Sequence, residues 1–293
     1  KLPDLNANGM EKNGGFRVSP AMLLAALRQL TFGDLLMRCL YRTRPYEAVP
    51  GSANALHTKW RDIAIAYAMG EKTGYTYGGI CRGIVADFDA LPLNESLRKP
   101  RVGIVGEILV KYMPLANNYL VDLLEQEGAE AVVPDLTDFL IECIYQQSYK
   151  HDYLGTGWTS SLLAKVGTAG IAAVRKPAVE ALKASLRFDP PTPMAHIADL
   201  AKPFLSLGNQ YGEGWFLCGE MAELLTEGVP NIVCIQPFAC LPNHVVGKGV
   251  IKALKAAYPQ ANIAAVDYDP GASEVNQLNR IKLMLSAAKK NMA

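Results

Sequence analysis

The sequence predicts an α/β protein built on about four parallel strands, and three observations carry that reading. Residues 232–235 and 263–266 are short apolar runs bounded by turn residues, the pattern of strands buried on both faces. Each run ends in a polar turn and leads into residues with helical apolar spacing: Val245, Val246, Val250, Ile251 and Leu254 after the first, and a helix opened by Ser273 and Glu274 after the second. A strand–turn–helix–strand–turn–helix segment over 231–285 requires parallel pairing with right-handed crossovers. Adding the runs at 101–106 and 131–133 gives four strands in chain order, with the spatial order 2-1-3-4. The switch point then falls between the turn carrying Glu107 and the turn carrying Cys240.

Taken in order, the chain opens with a loop-like stretch, 1–18, that reads as a piece of something longer. Ser19-Pro20 is an N-cap followed by proline at the first helical position, which starts a helix through 30. A second helix is expected over 31–41, then a basic and aromatic loop at 42–47. Ser52 is placed to cap a third helix bearing Leu56, Trp60, Ile63, Ala64 and Tyr67, which fades at Gly70 and Gly74. Another helix covers 80–91, and residues 92–100 form a polar linker. The division is therefore an α-helical N-terminal layer over 1–98 and an α/β domain over 99–293. Within the latter, a helix spans 117–126 and Gly128 stops it. A helical insertion covers about 136–207, punctuated by Gly155, Lys176-Pro177, the prolines of 190–193 and Pro203. Residues 212–214 open a helix over 215–225 that leads into the third strand.

Composition narrows the function classes. The formal net charge is only +1 with no basic stripe, which argues against nucleic acid as a partner. No apolar run reaches membrane-spanning length and no charged-then-apolar leader opens the sequence, so neither membrane nor export is expected. Six scattered cysteines suit a reducing cytoplasm, where thiols serve as core residues, nucleophiles or metal ligands.

Cys240 is the leading chemical candidate, because a thiol in a strand-to-helix turn meets backbone N–H groups and the positive end of a helix dipole. The same position also suits a small buried residue. His244, four residues on, makes a Cys/His nucleophilic pair conceivable. Glu107, Glu213 and Asp269 are carboxylates at strand ends or a helix start around the same crevice, where each could equally be a cap or a solvated turn residue. Gly247-Lys248-Gly249 fails the P-loop pattern, and Gly103 and Gly106 are not spaced as a dinucleotide fingerprint. Cys39, Cys81, Cys143, Cys218 and Cys234 sit in helical or strand patterns and read as core.

Several of these motifs together resemble a known family. They are VGIVGEI at 102–108 with ANN at 116–118, GEGWFLCGEM at 212–221, CIQPFACLPNHVVGKGVIKAL at 234–254 and AAVDYDPGASEVNQLNRIKLML at 264–285, with YRTRPYE at 41–47 and GSANAL at 51–56 upstream. They are similar to the C-terminal, dehydratase-like part of the large activase-related proteins of the 2-hydroxyacyl-CoA dehydratase system, a family related to the benzoyl-CoA reductase and 2-hydroxyglutaryl-CoA dehydratase subunits. The resemblance implies a flavodoxin-like lobe and a low-potential iron–sulfur cluster of the 4Fe-4S type, with Cys240 as one metal ligand and the other cysteines supplied by a preceding lobe. It further implies that the cluster's surroundings include Gln236, which could donate a hydrogen bond to sulfur, and His244, Glu107, Glu213 and Asp269. No ATP site is expected in this chain, nor activity from it in isolation. The implied setting is electron transfer in ATP-driven 2-hydroxyacyl-CoA dehydration or acyl-CoA reduction. The implied partners are the remaining lobes of a longer polypeptide or a dehydratase or reductase subunit, together with an acyl-CoA. The alternatives from the residues are a non-catalytic docking or scaffold domain and a Cys240/His244 acyl-transfer enzyme.

Overall fold

Four strands, β1 (Arg101–Gly106), β2 (Glu130–Val132), β3 (Asn231–Gln236) and β4 (Asn262–Asp267), lie parallel in the order β2-β1-β3-β4 in the computed structural model, the order the sequence predicts. The structure describes residues 19–155, 157–269, 271 and 273–292. β3 is the central strand and every one of its residues is buried. Because side chains alternate across a strand, Val102, Ile104, Val233 and Ile235 face one layer while Val105, Ile232 and Cys234 face the other. The first layer is α5 (Leu120–Gln126) and α11 (Glu274–Met292), through Leu120, Leu124, Ile281 and Met284. The second is α9 (Trp215–Thr226) and α10 (Ile251–Ala257), backed by α8 (Met194–Ala201).

The N-terminal helices differ from expectation in two places. α1 runs unbroken over Pro20–Thr43, where the sequence suggests two helices meeting near Thr31. The Thr31 hydroxyl bonds back to the Leu27 carbonyl at 2.9 Å, and burial of Phe32, Leu35, Leu36, Cys39 and Leu40 outweighs the weak helix formers Thr31 and Gly33. Ser19 does cap this helix, accepting from the Met22 N–H. α2 (Ser52–Ala68) is not capped by Ser52. Gly51, at φ 88°, precedes it, and the Glu47 carboxylate accepts from Gly51 N, Ala53 N and the Ser52 hydroxyl. The next helix, α3, spans Tyr77–Asp89.

The insertion forms α6 (Leu136–Leu154) and α7 (Trp158–Ala184), with Pro177 inside α7 rather than ending it. Ala178, Ala181 and Leu182 of α7 complete the apolar core of α1, α2 and α3, so the helical layer is closed by residues from the insertion. α1 and the turn that follows it are tied to the sheet edge by ion pairs and a hydrogen bond: Arg42 and the Tyr46 hydroxyl reach Glu130 at 2.6 and 2.8 Å, Arg44 reaches Glu125 at 2.7 Å, and Arg38 reaches Asp135 at 2.9 Å. The basic and aromatic loop at 42–47 is thereby accounted for as a structural clamp. Among the described residues, no helix is long and apolar enough to cross a membrane.

Candidate functional site

The carboxyl ends of β1 and β3 part at the switch point, where the crossover connections leave the sheet in opposite directions. A short helix, α4 (Ile108–Tyr112), starts directly after β1, and the Glu107 carboxylate caps it by accepting from Leu109 N at 3.1 Å and Val110 N at 2.9 Å. Glu213 comes from the turn before α9 and is buried. One of its oxygens accepts from Ile108 N at 3.1 Å and the other from the Asn243 amide at 3.2 Å. Gly214 makes that turn possible, because a Cβ there would lie 2.0 Å from the Asn209 carbonyl oxygen.

Cys240 lies half-buried in the turn after β3, next to Ala239, which sits at φ 61°. Its Sγ accepts a hydrogen bond from Asn243 Nδ2 at 3.3 Å. Asn243 is wholly buried and opens a π-helical turn, Asn243–Lys248, a geometry that recurs at functional sites. Both amide protons of Asn243 are thus directed, one to Glu213 and one to sulfur, while its Oδ1 has no partner among the described residues. The buried carboxylate fixes which way the amide faces, and the amide then presents a donor to the thiol.

His244 turns away from that sulfur. Its Nδ1 donates to the Cys240 carbonyl oxygen at 3.0 Å and its Nε2 accepts from Lys248 Nζ at 3.0 Å. Lys248 also bonds both Asp267 oxygens, at 2.8 and 3.1 Å. The imidazole is committed to this chain of contacts, so the geometry does not build a Cys240/His244 nucleophilic pair. Gln236 is fully buried and donates to Asp267 at 2.7 Å, and its Oε1 lies 3.7 Å from the Cys234 thiol. It is the Asn243 amide, and not Gln236, that donates to the Cys240 sulfur. Asp267 faces Gln236 in the β3–β4 register. Burial works against its charge, yet the hydrogen bonds from Gln236 and Lys248 and the Lys248 charge hold its carboxyl below the usual range.

The structure therefore gathers Glu107, Glu213, Gln236, Cys240 and His244 at the carboxyl ends of β1 and β3, linked through Asn243, Lys248 and Asp267. Asp269 is exposed beyond the end of β4 and has no hydrogen-bond partner among the described residues. Sequence reasoning missed the three linking residues. The four-residue spacing of His244 and Lys248, and the strand-end acid Asp267, were the available signals. Of the five cysteines read as core, Cys39, Cys81, Cys218 and Cys234 are buried, but Cys143 is exposed, beside the buried Glu142 of α6.

Glu142 adds a buried acid whose neighbours include Glu213. Its Oε1 accepts from Gln146 and its Oε2 has no partner among the described residues. Burial pushes its carboxyl up to about 8, opposed by the Gln146 hydrogen bond and reinforced by the Glu213 charge. The folded state therefore holds this proton where the unfolded chain, near the ordinary 4.5, releases it. Stability should fall as pH rises from about 4.5 to about 8 and level off above, a loss on the order of 5 kcal/mol. Glu142→Gln should reduce that slope, leaving the part due to the likewise raised carboxyls of Asp34 and Glu223, and be the more stable form above the window, measured by urea denaturation across it. A slope equal to wild type would show that Glu142 is not its source.

Among the described residues, no group of three or more His, Cys, Asp or Glu side chains is arranged to hold a metal. The residues present fit one share of a metal site: a single accessible thiol with a hydrogen-bond donor on its sulfur. Fold and site define a doubly wound α/β protein with a half-buried thiol at its switch point. No family model matches the chain, and no curated protein or solved structure matches it significantly.

Proposed function

We propose that this chain is one wall of an iron–sulfur electron-transfer site and supplies Cys240 as a single thiolate ligand. In this reading it serves ATP-driven 2-hydroxyacyl-CoA dehydration or acyl-CoA reduction in a reducing cytoplasm, and the remaining ligands come from other lobes or a dehydratase or reductase partner. The observation that carries it is the Asn243 N–H on the Cys240 sulfur, held in place by buried Glu213. A cluster, when bound, supplies one-electron transfer at low potential. This chain's residues prepare for it: Asn243, at the first position of the π turn, stabilises negative charge on sulfur. Phe238 and Leu241, 71% and 67% exposed on either side of Cys240, suit a mouth that another surface covers and dries.

The test is anaerobic reconstitution with iron and sulfide of this chain and of its longest natural form, each beside Cys240→Ser. Iron and acid-labile sulfide should appear in the long form and drop on substitution. Iron content unchanged by Cys240→Ser would sink the proposal. If neither form takes up iron, the exposed apolar mouth is better read as the contact surface of a docking domain.

A further inference from the structure

The junction of the helical insertion with α1 gathers three buried carboxylates and two guanidiniums: Asp34 and Arg38 of α1, Asp135 just before α6, Asp138 of α6 and Arg175 of α7. Asp135 stands at the N-cap position of α6 but makes no cap bond. Its oxygens are taken by Arg38 at 2.9 Å and by Arg175. Asp138 accepts from Arg175 at 2.5 Å. The cap of α6 comes instead from another helix. Asp34 accepts from Leu136 N at 2.9 Å and Thr137 N at 3.0 Å, and its carboxyl also meets the Thr137 hydroxyl.

Ionised throughout, this cluster would carry one surplus negative charge where burial penalises it, so neutrality requires one proton. Asp34 is placed to hold it, because alone of the three acids it bonds no guanidinium. Burial and the Asp135 charge push its carboxyl up to about 7, against the Thr137 hydrogen bonds and the Arg175 charge. Burial works against the Asp135 charge too, but Arg38 and Arg175 hold that carboxyl below the usual range. Burial raises Asp138, with Arg175 opposing it. Cys39 of α1 and Tyr112 of α4 also face the cluster, and burial keeps both protonated; the Tyr112 hydroxyl donates to the Pro134 carbonyl at 2.7 Å.

We propose that this junction is a proton-controlled latch on the helical insertion: while the cluster holds a proton the start of α6 stays docked on α1, and loss of that proton loosens it. The sign follows from linkage. In the opened junction Asp34 meets water and returns to the ordinary 3.8, so opening releases a proton between that value and about 7, and acidification tightens the latch. The effect reaches beyond one cap, because Arg175 belongs to α7, whose Ala178, Ala181 and Leu182 close the core of α1, α2 and α3. The latch stands apart from the iron–sulfur reading, since it uses no residue around Cys240 and its readout involves no metal.

Hydrogen exchange of the Leu136 and Thr137 amides, corrected for the pH dependence of the chemical step, measures the opening. In the whole chain the opening constant should rise about tenfold per pH unit from about pH 5 to about 7 and level off above. Asp34→Asn should abolish the rise, and Glu142→Gln, on the same helix but outside the cluster, should leave it. Asp138→Asn leaves the cap untouched and sets two acids against two guanidiniums, so it should move the rise to lower pH. A carbon-13 titration of the wild-type Asp34 carboxyl should show its midpoint near 7. An opening constant flat with pH, a rise that survives Asp34→Asn, or an equal effect of Glu142→Gln, which would mean opening only by global unfolding, would each overturn the proposal. If Asp34→Asn does not fold, Asp138→Asn and the carboxyl titration decide it: a rise that Asp138→Asn does not move, or an Asp34 carboxyl already ionised at about pH 5, would overturn it.

Discussion

Lys111→Met should lower the free energy of unfolding by about 3–5 kcal/mol, a large effect for one substitution. Lys111 closes the short helix α4, and its ammonium meets Glu220 of α9 at 2.7 Å with both side chains essentially sealed from solvent. Burial pushes the Glu220 carboxyl up, and the charge and hydrogen bond of Lys111 offset much of that penalty. Removing the lysine strands a carboxylate in apolar surroundings, which costs more than the pair itself contributes. The sign with pH follows: without its partner, Glu220 holds a proton in the folded state that the unfolded chain releases near 4.5. The deficit should therefore grow as pH rises above that value. Urea denaturation at several pH values measures it, and Lys111→Met/Glu220→Met should recover most of the loss because no charge is then left unpaired. A single variant as stable as wild type would mean that Glu220 finds another route to neutralisation. The pair matters beyond stability, since it clamps α4 to α9 and so holds the Glu107 turn against the Glu213 turn.

How much of this could be read from residues alone depends on whether the determining contact is local. β1 was legible to the residue, and β3 and β4 within one residue at each end, because a strand buried on both faces needs an unbroken apolar run whatever its neighbours are. The strand order and switch point then follow from connection rules. Asn243 was not legible in its role. It reads as a turn residue, and the partner that orients its amide, Glu213, lies 30 residues upstream. The π turn that carries it is also invisible to a search at helical periodicity. Gln236 was assigned toward sulfur because it sits near Cys240 in sequence, yet the β3–β4 register sets it opposite Asp267. At Thr31 and Gly33, local propensity suggested a break, and the tertiary burial of α1's neighbouring residues overrode it.

Gly106→Ala should cost about 4 kcal/mol or more, and the reason is the approach of β1 to β3 at the point where the site begins. Gly106 lies at φ 137°, a conformation L side chains rarely adopt, and a Cβ on it would stand 1.8 Å from the Ile235 carbonyl oxygen. That oxygen accepts from Glu107 N at 2.9 Å, so the methyl would intrude on the last hydrogen bond joining the two strands. The atoms it would meet are all backbone and the Cβ position is fixed by the main chain, so no rotamer change relieves the clash. Gly103→Ala is the informative comparison: its Cβ would meet the end of the Leu224 side chain at 2.5 Å, which can move, so about 1–3 kcal/mol is expected. Denaturation of the two variants side by side measures the difference. Equal losses would mean that backbone proximity is not what demands glycine at 106. If Gly106→Ala is much the worse, β1 must part from β3 to accept it, which moves the Glu107 cap and Ile108 N away from Glu213. Asn243 would then lose the fixed carboxylate that aims its amide, and the N–H on the Cys240 sulfur would go with it. The glycine that permits tight strand pairing thus also sets the hydrogen bond at the thiol, two strand ends away from its own Cα.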